Sequence, residues 1–112
     1  MHKSIIALGI ESSCDDTSIG VIKVTRKDNI LVSEKLGLVT LSQEKLHKGY
    51  GGVVPEIAAR AHSERVDTCF KKVLKENNIK LYDIDIICVT QGPGLFGGLI
   101  SGINFAKGLA FS

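Results

Sequence analysis

Two stretches of the chain gather residues that could bind or react with a polar ligand. The first is "ESSCDDTS" at residues 11–18, where Ser12, Ser13 and Thr17 supply hydroxyls. A tight hairpin there would also turn backbone N–H groups toward a common anion. Asp15 and Asp16 could hold a hydrated magnesium ion, because hard cations take carboxylate and water oxygens. Ser and Asp are equally ordinary turn residues, and composition alone favours that plainer role. The second stretch is "VTQGPGLFGGLI" at 89–100, in which Gly92, Gly94 and Gly97 spell G-x-G-x-x-G. It lies between an apolar strand-like run and a small-residue helix-like run, the position of a dinucleotide fingerprint.

Position argues against that fingerprint. Its glycines normally follow the first strand of a βαβ unit, whereas three antiparallel strands are expected before this one. The acidic partner about twenty residues on would fall beyond Ser112. No Lys-Ser/Thr follows the glycines, so the loop is not a Walker A sequence. The better reading is a turn, with Gly92-Pro93-Gly94 carrying backbone amides and a helix N-terminus to the mouth of a cleft, an anion-friendly end. His47 and His62 belong to no metal-spacing motif, and each alone reads as a surface or packing residue. No G-x-S-x-G elbow or Ser/His/Asp arrangement can be assigned.

The elements that must position these residues follow from apolar periodicity. "SIIALGI" at 4–10 and "IGVIKV" at 19–24 read as strands of a hairpin around the Ser/Asp cluster. "RKDN" at 26–29 is a second turn, and "ILVSEKLGLVT" at 30–40 a third strand. The loop "HKGYGGVVPE", with Gly49, Gly51 and Gly52, ends at Pro55, which is favoured at the first helical position. Ile57, Ala58, Ala61, Val66, Cys69, Phe70, Val73 and Leu74 then keep one face at helical spacing over about 55–77. Arg60, Glu64 and Arg65 form opposite-charge pairs on a solvated face. "IDIICVT" at 84–90 is a strand, and 95–111 a second helix, where Gly98, Gly102 and Ala106 recur every four residues and permit close backbone packing. The order β-β-β-α-β-α predicts an α/β fold with a mixed sheet, resembling the ribonuclease-H-like half of the actin/sugar-kinase/Hsp70 superfamily. That layout usually carries one more strand after the second helix, so 1–112 reads as a single partial, truncated subdomain.

Bulk composition narrows the classes. At 112 residues and 44% hydrophobic content the chain is one globular unit with a real core. A net charge of +2 does not call for nucleic acid. Cys14, Cys69 and Cys88 are odd in number with no C-x-x-C, which points to a reducing compartment, and Cys69 and Cys88 fall in apolar patterns as core residues. The N-terminal apolar run is too short for a signal peptide and no 18-residue apolar stretch exists, so neither secretion nor membrane spanning is expected.

"LGIESSCDDTSIGVI", "GGVVPEIAARAH" and "VTQGPGLFGGLISGINFAKGLA", in this order and spacing, closely resemble the N-terminal third of the TsaD-type tRNA threonylcarbamoyltransferase family. Its members were formerly called O-sialoglycoprotein endopeptidases or glycoproteases. The non-catalytic TsaB-type paralogues share a G-P-G loop but lack the middle motif, and "ESSCDDT" resembles the bacterial or mitochondrial branch. The resemblance implies two ribonuclease-H-like halves around an ATP-grasping cleft. It implies transfer of threonylcarbamoyl from threonylcarbamoyl-adenylate to N6 of adenosine 37 in tRNAs that read ANN codons. It implies a divalent metal (iron or zinc) and an adenylate nucleotide. The metal ligands, an H-x-x-x-H pair and a distant aspartate, are expected outside these 112 residues, so the piece alone should be inactive. Expected partners are tRNA and a TsaB-type paralogue, or a second copy in mitochondrial-type members. The expected compartment is cytoplasmic, with mitochondrial as the alternative.

For site residues the resemblance marks Glu11, Ser12, Ser13, Cys14, Asp15 and Thr17 as a loop facing the nucleotide phosphates. Gly92, Gly94 and Gly97 form the cleft glycine loop. Glu56, Arg60 and His62 lie on the long helix of the middle motif. Two further readings are carried forward: a non-catalytic scaffold paralogue, and the old metallo-glycoprotease, for which neither a zinc motif nor a water-activating glutamate beside one is found.

Overall fold

A computed structural model of the chain describes residues 2–13, 16–42, 55–94 and 96–112, with the backbone alone for 2, 55–61 and 63. Cys14 and Asp15 therefore lie outside the described residues, as do His47 and the glycine-rich loop up to residue 54. So do the side chains of Glu56 and Arg60.

Alternation of apolar residues builds the sheet. Strands β1 (His2–Glu11), β2 (Thr17–Lys27) and β3 (Ile30–Leu41) form the expected antiparallel meander. β1 and β2 pair Leu8 with Val21 and Ile10 with Ile19, which puts all four on one face, where they are buried. The β2–β3 turn needs a left-handed residue, and Asp28, at φ 56°, supplies it. Helix α1 (Pro55–Glu76) crosses over this face and returns the chain as β4 (Ile86–Val89), parallel to β1. The sheet order is β3-β2-β1-β4, and helix α2 (Phe96–Ala110) closes the layer.

α1 turns His62, Val66, Cys69 and Val73 into the core, a stripe at helical spacing. Its end is a Schellman motif. Asn78 takes the left-handed position at φ 53°, and the Ile79 N–H returns to the Leu74 carbonyl at 3.0 Å. Phe70 of α1 meets Phe105 of α2 edge-to-face, with ring centroids 5.5 Å apart. Arg65 donates to the Ser42 carbonyl and ties the helix to the end of β3.

The structure departs from the sequence reading in two places. β4 begins at Ile86 rather than 84, because the Asp85 carboxylate, not a ladder carbonyl, accepts the Ile6 N–H at 2.9 Å. A 3₁₀ turn, Leu81–Asp83, precedes it, with the Asp83 carboxylate accepting the Lys80 N–H. Cys69 is a core residue as expected, but Cys88 is exposed. Cys88 pairs with Gly9 and so shares the sheet face of Gly9, Gly20 and Ile22, opposite to Leu8, Val21 and the helices. An apolar run predicts burial on both faces; among the described residues only one face is covered.

Two outcomes follow. Leu8→Ala, which empties a wholly buried site, should destabilise the chain by about 2–5 kcal/mol in urea unfolding. The open face presents Ile22, Leu38 and Ile86 to solvent, so light scattering should show self-association that rises with concentration and falls on Leu38→Lys.

Candidate functional site

β1 and β4 are neighbouring parallel strands, and their carboxyl ends deliver two loops to one edge of the sheet. In open α/β sheets this is where ligands bind. Ser12 and Ser13 leave β1 and residues 90–94 leave β4, so the described parts of the two stretches singled out in the sequence come together. A Cβ on Gly94 would stand 2.5 Å from the Ser13 Cβ, which makes these loops direct neighbours.

Close packing of α2 makes that arrangement possible. A Cβ on Gly98 would collide with the Ser12 carbonyl oxygen and stand 2.7 Å from the His62 ring carbon Cδ2. A Cβ on Gly102 would collide with the Ser12 hydroxyl. Glycine is thus required at these two helix positions by close approach. The third fingerprint glycine, Gly97, is only half-buried, and its carbonyl accepts the Ser101 hydroxyl at 3.0 Å. The helix packs one residue out of step with the dinucleotide pattern.

The predicted phosphate-facing residues divide into groups. Ser12 is wholly buried and its hydroxyl donates to the Gly98 carbonyl at 2.8 Å. Thr17 is wholly buried too, with its Oγ1 hydrogen-bonded to His62 Nδ1 at 2.6 Å. Its carbonyl accepts the Cys69 thiol at 3.5 Å, and burial pushes that thiol's pKa up. Both hydroxyls therefore point into the fold, where a buried polar group must be paired. Ser13 is half-buried at the mouth, and Gly92 and Gly94 are exposed beside it. Among the described residues, Glu11, Asp16, Gln91 and Phe96 are exposed at this edge as well.

Glu11 occupies the mouth differently. One carboxylate oxygen accepts the Ser13 N–H at 2.5 Å, and the other accepts the Thr90 hydroxyl at 2.9 Å. Partial burial pushes its pKa up, but hydrogen bonds from the Ser13 hydroxyl and N–H and from Thr90, with the field of His62, leave it below the ordinary carboxylate value. A shallow groove of ≈ 330 Å³ runs along Gly9–Glu11 and Cys88–Thr90.

Sequence reasoning missed Thr90 and left His62 as a surface or packing residue, of which the structure makes it the packing one. His62 stands four residues before Val66 on the buried stripe of α1, a spacing that could have marked it. Thr90 had no local signal, because its role depends on β4 lying against β1. Among the described residues no three His, Cys, Asp or Glu side chains converge to hold a metal ion, so the donor set for the divalent metal does not assemble there.

The TsaD family model, described as tRNA N6-adenosine threonylcarbamoyltransferase, matches residues 34–112. This chain belongs to the TsaD family. Curated relatives bearing that description include one from Ruegeria pomeroyi, 48% identical over 110 residues, which are 98% of this chain and 29% of the relative. Another, from Staphylococcus haemolyticus, is 49% identical over 112 residues, all of this chain and 31% of the relative. The chain thus spans under a third of the length of these relatives. Among solved structures, YeaZ from Pseudomonas aeruginosa superposes with a TM-score of 0.60 at 22% identity, over 96% of this chain and 39% of that one. The likeness bears out the expected fold, α/β and ribonuclease-H-like with a mixed sheet. No helix among the described residues is long and apolar enough to cross a membrane.

Gly98→Ala should force α2 away from Ser12 and His62 and lower the melting temperature. Ser12→Ala, which strips the Gly98 carbonyl of its buried donor, should cost about 1–3 kcal/mol in urea unfolding.

Proposed function

We propose that this chain supplies the adenylate-facing wall of a tRNA N6-adenosine threonylcarbamoyltransferase. The whole protein would move threonylcarbamoyl from threonylcarbamoyl-adenylate to N6 of adenosine 37 in tRNAs that read ANN codons. In that reaction N6 forms a bond to the carbamoyl carbon, the bond from that carbon to the adenylate oxygen breaks, AMP leaves with the electron pair, and N6 gives up a proton. The observation that carries the reading is the meeting of two family motifs, Ser12 and Ser13 of one against Gly94, Gly98 and Gly102 of the other, at the carboxyl ends of parallel strands.

Within this reading the chain's own part is binding. The backbone N–H groups of Gly92 and Gly94 and the N-terminal end of α2 favour an anionic phosphate. Ser12, Thr17 and His62 sit behind them and hold the wall rigid. Bound at its own site, a divalent metal, iron or zinc, would supply Lewis-acid polarisation of the carbonyl. The reading takes tRNA as substrate, a TsaB-type protein or a second copy as partner, and the cytoplasm as compartment.

A chimera tests it. Residues 1–112 would replace the matching stretch of the Staphylococcus haemolyticus relative, which they cover without remainder. The chimera should convert adenosine 37 when given threonylcarbamoyl-adenylate, tRNA and the relative's own partner proteins, as read by mass spectrometry of tRNA nucleosides. A chimera that folds and binds those partners yet leaves adenosine 37 unmodified would favour the non-catalytic scaffold reading instead.

A further inference from the structure

A carboxylate at the mouth of a phosphate-facing site is an electrostatic anomaly, because like charges repel across a short distance. Glu11 is the last residue of β1, and the neighbouring Ile10 pairs with Val89 at the end of β4. The next residue, Thr90, donates its N–H to the Ile10 carbonyl at 3.0 Å, which brings its hydroxyl alongside Glu11. One carboxylate oxygen then takes the Ser13 N–H at 2.5 Å and the other the Thr90 hydroxyl at 2.9 Å. The two donors lie 77 residues apart in the chain, one in each loop of the mouth. Both bonds are charge-assisted, roughly twice as strong as neutral ones.

We infer that Glu11 is a positioning residue: its carboxylate clasps the loop after β1 to the loop after β4 and sets the spacing of the backbone that receives an adenylate phosphate. The ligand's identity rests on the function proposed above; the clasp itself does not. With its oxygens occupied by loop donors, the negative charge is satisfied within the wall rather than directed at the ligand. Glu11 acts through Ser13 and Thr90 and contacts neither reacting atom.

The clasp has a definite dependence on pH. Glu11 has a lowered pKa in the fold, so its contribution is complete above the ordinary carboxylate value and is lost as pH falls through the lower folded value. Among the described residues, the titratable groups that bear on it are His62 of α1, whose field favours the ionised form, and Cys88 of β4, which lines the same groove.

The test has two arms. In the first, nuclear magnetic resonance of the 112-residue chain follows the Ser13 and Thr90 amide resonances against pH. Wild type should show a shared transition below the ordinary glutamate range. Glu11→Gln, which keeps the shape and cannot ionise, should abolish it, and Thr90→Val should move it to higher pH. Transitions unchanged in Glu11→Gln overturn the inference. In the second arm, Glu11→Gln in the chimera should raise the KM for threonylcarbamoyl-adenylate roughly tenfold, the scale of one hydrogen bond to a charged group, and leave the KM for tRNA as it was. A fall in kcat alone, with both KM values kept, overturns the positioning role. An inactive parent chimera counts against the proposed function, and the resonance arm then decides the clasp by itself.

Discussion

The whole arrangement depends on how closely α2 can approach the end of β1. Side chains normally hold a helix away from the sheet it covers, and here two missing Cβ atoms remove that spacer. Gly98 and Gly102 let the helix backbone lie against Ser12 and the His62 ring. Only then can the Gly98 carbonyl receive the Ser12 hydroxyl, and only then does Gly94 lie beside Ser13. Gly94, Gly98 and Gly102 act through packing, and the meeting of the two loops is its consequence.

Behind the contact lies a set of buried polar groups that a purely apolar core would not need. Ser12, Thr17 and His62 are each wholly buried, and among the described residues no buried side-chain N or O atom lacks a hydrogen-bond partner. In a low-dielectric interior such bonds are directional, so they fix one relative placement of β1, β2, α1 and α2 where apolar contacts would tolerate several. This accounts for polar residues next to Leu8, Ile19 and Val21 in a small protein. It also explains why a cluster that reads as a phosphate loop turns two of its hydroxyls inward. The inner hydroxyls hold the end of β1 and the start of β2 against the helices.

The fold was largely legible because its signals are local. Alternation in residues 4–10 and 19–24, a helical stripe from Val66 to Leu74 and small residues every fourth position in α2 each arise from the period of one element. All of them are found in the structure. The errors share a cause. Cys88 in an apolar run reads as core, yet its exposure depends on which face of β4 meets a helix. The start of β4 moved because the Asp85 side chain replaces a ladder acceptor, a contact with Ile6 seventy-nine residues away.

By itself, then, the sequence determined the order and type of the elements, the pairing of the first three strands through their turns, and the family through three motifs in fixed succession. Those properties depend on neighbours along the chain. Tertiary structure alone decided which polar groups stand at the sheet edge and which are internal. Ser12 and Ser13 are adjacent and chemically alike, yet one is locked to Gly98 and the other stands at the mouth beside Gly94. Glu11 likewise becomes a clasp only when β4 brings Thr90 to its side. Hydrogen-bond partners so far apart in sequence are set by the approach of elements, which no local pattern encodes.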